Sequence, residues 1–175
     1  MQHAAPSLLD ILNHIPLFVW AILAAILAMG FKLSRATTMA TRRVVILPIV
    51  WLVIGLMGVR SGAGLFSPAG GAWALGLLAG AGLVRALRWP GQVRYDVAER
   101  RFHVPGSWIP MGLMLSIFVL KAYAAMTLAV HPAVAHQLGF AVGTSAAFGF
   151  LSGCFLGRSL SILSARPRPA AAVAA

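Results

Sequence analysis

Residues 108–130 read WIPMGLMLSIFVLKAYAAMTLAV, and one charged side chain, Lys121, stands among them. No other Lys, Arg, Asp or Glu lies within fifteen positions of it on either side. As a helix the stretch is about 34 Å long, enough to cross the ~30 Å hydrocarbon core of a bilayer. Four more apolar runs flank it, at residues 15–33, 44–59, 70–87 and 135–163. Of the 175 residues, 60% are hydrophobic and 10% charged, against about a quarter charged in an ordinary soluble domain. So little polar surface does not cover a water-facing globule. The fold class expected is therefore an all-α membrane protein of five transmembrane helices. They form one domain over residues 1–165, and residues 166–175, RPRPAAAVAA, are a low-complexity tail expected to be disordered.

The cations fix the expected direction. Four lie between the first two runs (Lys32, Arg35, Arg42, Arg43) and five between the third and fourth (Arg85, Arg88, Arg94, Arg100, Arg101). Three follow near the C-terminus (Arg158, Arg166, Arg168), while the intervening segments hold Arg60 alone. Basic segments stay in the cytoplasm, so the N-terminus is expected outside and the C-terminus inside. Ser7 and Asp10 have the spacing of an N-terminal cap, which starts the first helix near Leu8, with Pro16 kinking it or opening a fresh turn. With no Lys or Arg ahead of the first run, a cleavable leader is not expected.

The net charge of +11 points to anionic lipid headgroups at the cytoplasmic arginines rather than to nucleic acid, since no basic stripe is interleaved with aromatics. Within the third loop, VRYD and RRFHV alternate polar and apolar residues. This predicts a small cytoplasmic β-hairpin over residues 92–105, closed at Pro105-Gly106.

In lipid, helices associate through small residues that let backbones approach. Gly149, Gly153 and Gly157 form one stripe, with Gly139 and Gly143 upstream; Gly76 and Gly80, next to Ala79 and Gly82, form another. The third and fifth helices are the expected close pair. The alternative use of the same stripes is a homo-oligomer face.

Lys121 has two readings. Its stem can snorkel to the outer face, or its ammonium can line a polar pocket for an anion, a quinone-like carbonyl or a counter-ion. Asp10, His14, Tyr123, His131 and His136 are the other groups expected on the outer side, and with Lys121 they define a candidate cavity. No metal is expected: the histidines lack metal-site spacing, and His131 to His136 crosses Pro132. No phosphate loop, nucleophile elbow or cofactor motif occurs. The lone Cys154 excludes an internal disulfide and dithiol chemistry. Ser116, Thr127, Thr144, Ser145 and Ser152 are expected to bond to their own helix carbonyls, and Trp89 and Trp108 to sit in an interfacial belt.

The stretches LLDILNHIPLFVWAIL, RRVVILPIVWL and RYDVAERRFHVPGSWIPMGLMLSIFVLKAY together resemble a family of small bacterial inner-membrane proteins catalogued as a domain of unknown function. The resemblance covers nearly the whole chain, and the hairpin with VPGSW and the Phe and Lys that follow is its most specific part. It implies a multi-pass protein of the bacterial inner membrane. More distantly the chain is similar to CcdC-like membrane proteins, linked by name to cytochrome c maturation. Those share an arginine-rich loop, an Arg-Tyr-Asp hairpin and a following span. Neither resemblance supplies catalytic residues. The expected function is a non-enzymatic binding or assembly factor whose protein partner the sequence does not name. The rivals are an oligomeric transporter subunit joined through the glycine stripes, and a membrane-embedded enzyme needing a second ionisable group near Lys121.

Overall fold

A computed structural model describes residues 16–62 and 64–166. The chain is mostly helical. Five α-helices run Leu17–Leu33 (α1), Thr41–Gly62 (α2), Pro68–Ala86 (α3), Ile109–Val130 (α4) and Leu138–Ser164 (α5), with a 3-10 turn at Pro132–His136 before α5. Helices α2 to α5 are long and apolar enough to cross a membrane. The described part of α1 is shorter, 17 residues or about 26 Å. The expected start near Leu8, its Ser7–Asp10 cap and residues 167–175 of the tail lie outside the described residues. Ser67 caps α3: its hydroxyl accepts from the Gly70 amide at 3.2 Å, and Pro68 takes the first turn, where no amide donor is needed.

The expected hairpin is part of a larger element. Strands Thr37–Ala40 (β1), Arg94–Asp96 (β2) and Arg101–Val104 (β3) form a three-stranded antiparallel sheet ordered β1-β3-β2. Thr37 pairs with Val104 and Ala40 with Arg101, while Arg94 pairs with His103 and Asp96 with Arg101. The turn lies at residues 97–100, not at Pro105-Gly106. Asp96 closes it by accepting from the amides of Ala98 (2.8 Å) and Glu99 (3.2 Å), and Arg100 adopts a positive φ of 53°.

A two-stranded hairpin is marginal in water, and β1 supplies what it lacks. One sheet face turns Met39, Phe102 and Val104 onto Val44 at the start of α2 and Ile162 near the end of α5. Phe102 is 0% exposed, and Tyr95 stacks on it with ring centroids 4.8 Å apart. The ends of α1 and α5, the start of α2 and the whole sheet therefore meet at one end of the bundle. Gly106 and Ser107 press against the chain leaving α1, and the Ser107 amide donates to the Leu33 carbonyl at 3.1 Å.

Helices α3 and α5 make the most extensive contact in the molecule. It is a backbone contact. A Cβ at Gly76 would overlap the Ala146 carbonyl, and one at Gly80 the Phe150 carbonyl. From the other side, Gly149 lies on the Trp73 carbonyl, Gly153 on the Leu77 carbonyl and Gly157 on Ala81. Gly82, Gly139 and Gly143 face open space and take no part. A second close approach joins α1 to α4, where Gly30 lies under the Met111 side chain and Phe31 meets Trp108 edge-on at 6.2 Å.

Backbone atoms cannot move aside as a flexible side chain can. Gly80→Leu and Gly153→Leu are each expected to destabilise the detergent-solubilised protein by about 2–4 kcal/mol. Gly82→Leu should change stability by less than about 0.5 kcal/mol. Equilibrium unfolding in mixed micelles measures all three.

Candidate functional site

A cavity of about 540 Å³ opens between α2, α3, α4 and α5, away from the sheet. Its walls follow helical periodicity. Helix α4 contributes Ile117, Lys121, Ala124 and Leu128, spaced four, three and four residues apart and hence on one face. Helix α5 presents Ala141, Thr144, Ser145, Phe148 and Ser152 in the same way. Gly55 and Gly58 of α2 and Trp73 of α3 complete the wall, with Ser67 and Gln137 from the helix starts.

The lining is mainly apolar, with a few polar groups of defined character. Lys121 extends its ammonium across the face of Phe148, 4.8 Å from the ring centroid. Phe148 lies ten residues into α5, about 15 Å along the helix. The ammonium is thus held at mid-depth of the bundle by a cation–π contact instead of being extended toward a helix end. Trp73 is 9% exposed, and its indole Nε1–H is buried without a hydrogen-bond partner. The nitrogen packs against Gly55 of α2, and a buried donor without an acceptor costs about 1–3 kcal/mol, which an acceptor reaching it past Gly55 would offset. The Thr144 hydroxyl donates to the Phe140 carbonyl at 2.7 Å, leaving its oxygen free to accept. Lys121 is the only ionisable side chain on the described wall.

The residues expected to cluster are not all brought together. Lys121 is on the wall. Tyr123 is 57% exposed and points elsewhere, because two residues along a helix turn the side chain by about 200°. His131 caps α4, its amide donating to the Thr127 carbonyl at 2.8 Å, and its side chain lines no part of the cavity. His136 ends the 3-10 turn; its side chain lies outside the described residues, as do Asp10 and His14 entirely. Among the described residues no three His, Cys, Asp or Glu side chains gather as a metal site. The indole of Trp73 was not legible as a site residue, since an unmet donor shows only when its neighbours are placed. Gln137 was missed because its approach depends on the turn before α5.

If the ammonium rests on Phe148, Lys121→Met and Phe148→Leu should be coupled. A double-mutant cycle in detergent is expected to give about 0.5–2 kcal/mol. Strict additivity of the two changes would place the ammonium elsewhere.

The chain matches the family of unknown function DUF6622 over residues 2–172, and so belongs to it. Neither the curated proteins nor the solved structures yield a match, and the comparisons show no likeness to CcdC-like proteins.

Proposed function

We propose that this DUF6622 protein is a non-enzymatic binding or assembly factor of the bacterial inner membrane. It holds an amphiphile in the cavity walled by Lys121, Trp73 and Phe148. The observation that carries this reading is the pairing, in one cavity, of a mid-depth ammonium with an indole donor that lacks an acceptor. Both groups donate and neither accepts. The complementary ligand has an apolar body and an oxygen-rich acceptor head, such as a carboxylate, a phosphate or a quinone-type carbonyl. The cavity volume lies in the range of small-molecule sites. The enzyme alternative needs a second ionisable group beside Lys121, and Asp10, the expected partner, lies outside the described residues.

In this reading five helices cross the membrane with the N-terminus outside and the C-terminus inside. The gathering of both arginine-rich connections and the end of α5 around one sheet supports that orientation. The sheet's exposed arginines then meet anionic headgroups. The transporter alternative called on the glycine stripes for a subunit contact, and Gly76, Gly80, Gly149, Gly153 and Gly157 are already occupied within the chain.

Solvent extraction and mass spectrometry of the purified protein test the reading. Wild-type protein is expected to carry an apolar compound with an acceptor head. Lys121→Leu should insert and elute alike but retain at least about tenfold less of it, equivalent to ~1.4 kcal/mol of lost binding. Equal loading of wild type and variant would contradict the reading.

A further inference from the structure

A second cation lies beyond the cavity, about 9 Å along α5 from Ser152 toward the sheet end. Arg158 is 7% exposed, and its Nε is buried without a hydrogen-bond partner. One face of its guanidinium lies against Trp89, 5.4 Å from the ring centroid. Trp89 is fixed in turn: its amide donates to the Val84 carbonyl at 3.2 Å and its indole N–H to the Ser107 hydroxyl at 3.3 Å. Ser107 also accepts from the Ile109 amide at 3.2 Å, tying this arrangement to the start of α4.

Among the described residues Arg158 has no counter-ion. The whole chain has three acids. Asp96 is engaged in its own turn, and no ion pair reaches Arg158 among the described residues. A guanidinium stays charged at every physiological pH, so it cannot escape burial by losing its proton. A buried charge without a partner is strongly unfavourable unless an anion completes the site.

The position of Arg158 selects the anion. Helix α5 has 27 residues and is about 40 Å long, exceeding the ~30 Å hydrocarbon core by about 10 Å. Its last turns are sheathed by the sheet through Ile162, so the excess length emerges at that end. Arg158 precedes Ser164 by six residues, about 9 Å, which puts it at the boundary between hydrocarbon and headgroups. Phosphates are concentrated at that depth, and the guanidinium fork matches a phosphate with two parallel N–H donors.

We infer that Arg158, backed by Trp89, is a binding site for a phosphate group, separate from the Lys121 cavity. Phosphate can be delivered by an anionic lipid headgroup or from solution, and the experiment separates the two. Wild type, Arg158→Met and Arg158→Lys are delipidated in a neutral detergent. Their thermal unfolding is then followed with phosphatidylglycerol, with an uncharged glycolipid lacking phosphate, or with millimolar inorganic phosphate. Phosphatidylglycerol is expected to raise the wild-type Tm by about 5 °C. The glycolipid should not. Arg158→Met should lose the response and, without lipid, be no less stable than wild type, because the uncompensated charge is gone. Arg158→Lys keeps the charge without the fork and should retain under half of the shift; it carries the comparison alone if the methionine variant does not fold. A shift with inorganic phosphate alone assigns the site to the free ion, and a shift with lipid alone assigns it to the headgroup. Equal shifts in wild type and the variants, or no shift with either additive, overturn the inference.

Discussion

The contact between the backbones of α3 and α5 organises the rest of the molecule. In hydrocarbon, leucine against leucine gains little over leucine against lipid, so helices are joined by close van der Waals approach. Gly76 and Gly80 on one side and Gly149, Gly153 and Gly157 on the other permit that approach along most of the shared length. With α5 fixed in this way, its remaining faces are set against the other elements. Thr144, Phe148 and Ser152 wall the cavity. Arg158 and Ile162, further along, reach the tryptophan shelf and the core beneath the sheet.

A chain with fourteen Lys and Arg against three acids cannot pair its cations with carboxylates. The structure uses aromatic faces instead. Lys121 lies over Phe148, Arg158 over Trp89, Arg35 over Phe31 and Arg166 over Tyr95. Such a contact satisfies the face of a guanidinium or part of an ammonium, yet leaves N–H donors directed outward. At Arg35 and Arg166, both exposed, those donors stay open to the surroundings. At Arg158 the surroundings are closed, and the site favours an anion, whereas Lys121 is exposed and its ammonium stays open on the cavity side.

The helices were legible because long apolar runs nearly free of charge leave few conformations other than helix open to them. Ser67 with Pro68, and Pro110 in the first turn of α4, are start signals in the sequence, although the expected third span opens only at residue 70. The α3–α5 glycines could be named because their four-residue spacing repeats on one face. Strand β1 was not legible: Thr37–Ala40 is four residues long, has no alternation strong enough to notice, and depends on β3, more than sixty residues away. Within the candidate site, Lys121 announced itself by its apolar surroundings. Trp73 and Arg158 did not. An indole in a helix is ordinary, and a cation near a helix end passes for a topology signal until burial removes its partners.

Both proposed sites presuppose a membrane with the sheet on its cytoplasmic side. Single cysteines at Val97, in the β2–β3 turn, and at Phe66, in the α2–α3 connection, test this in a Cys154→Ala background. Both positions are open, at 69% and 106% exposure. In intact cells, a thiol reagent unable to cross the inner membrane should label Phe66→Cys and should reach Val97→Cys only after permeabilisation. Labelling of Val97→Cys in intact cells, with Phe66→Cys protected, would invert the architecture and contradict the account.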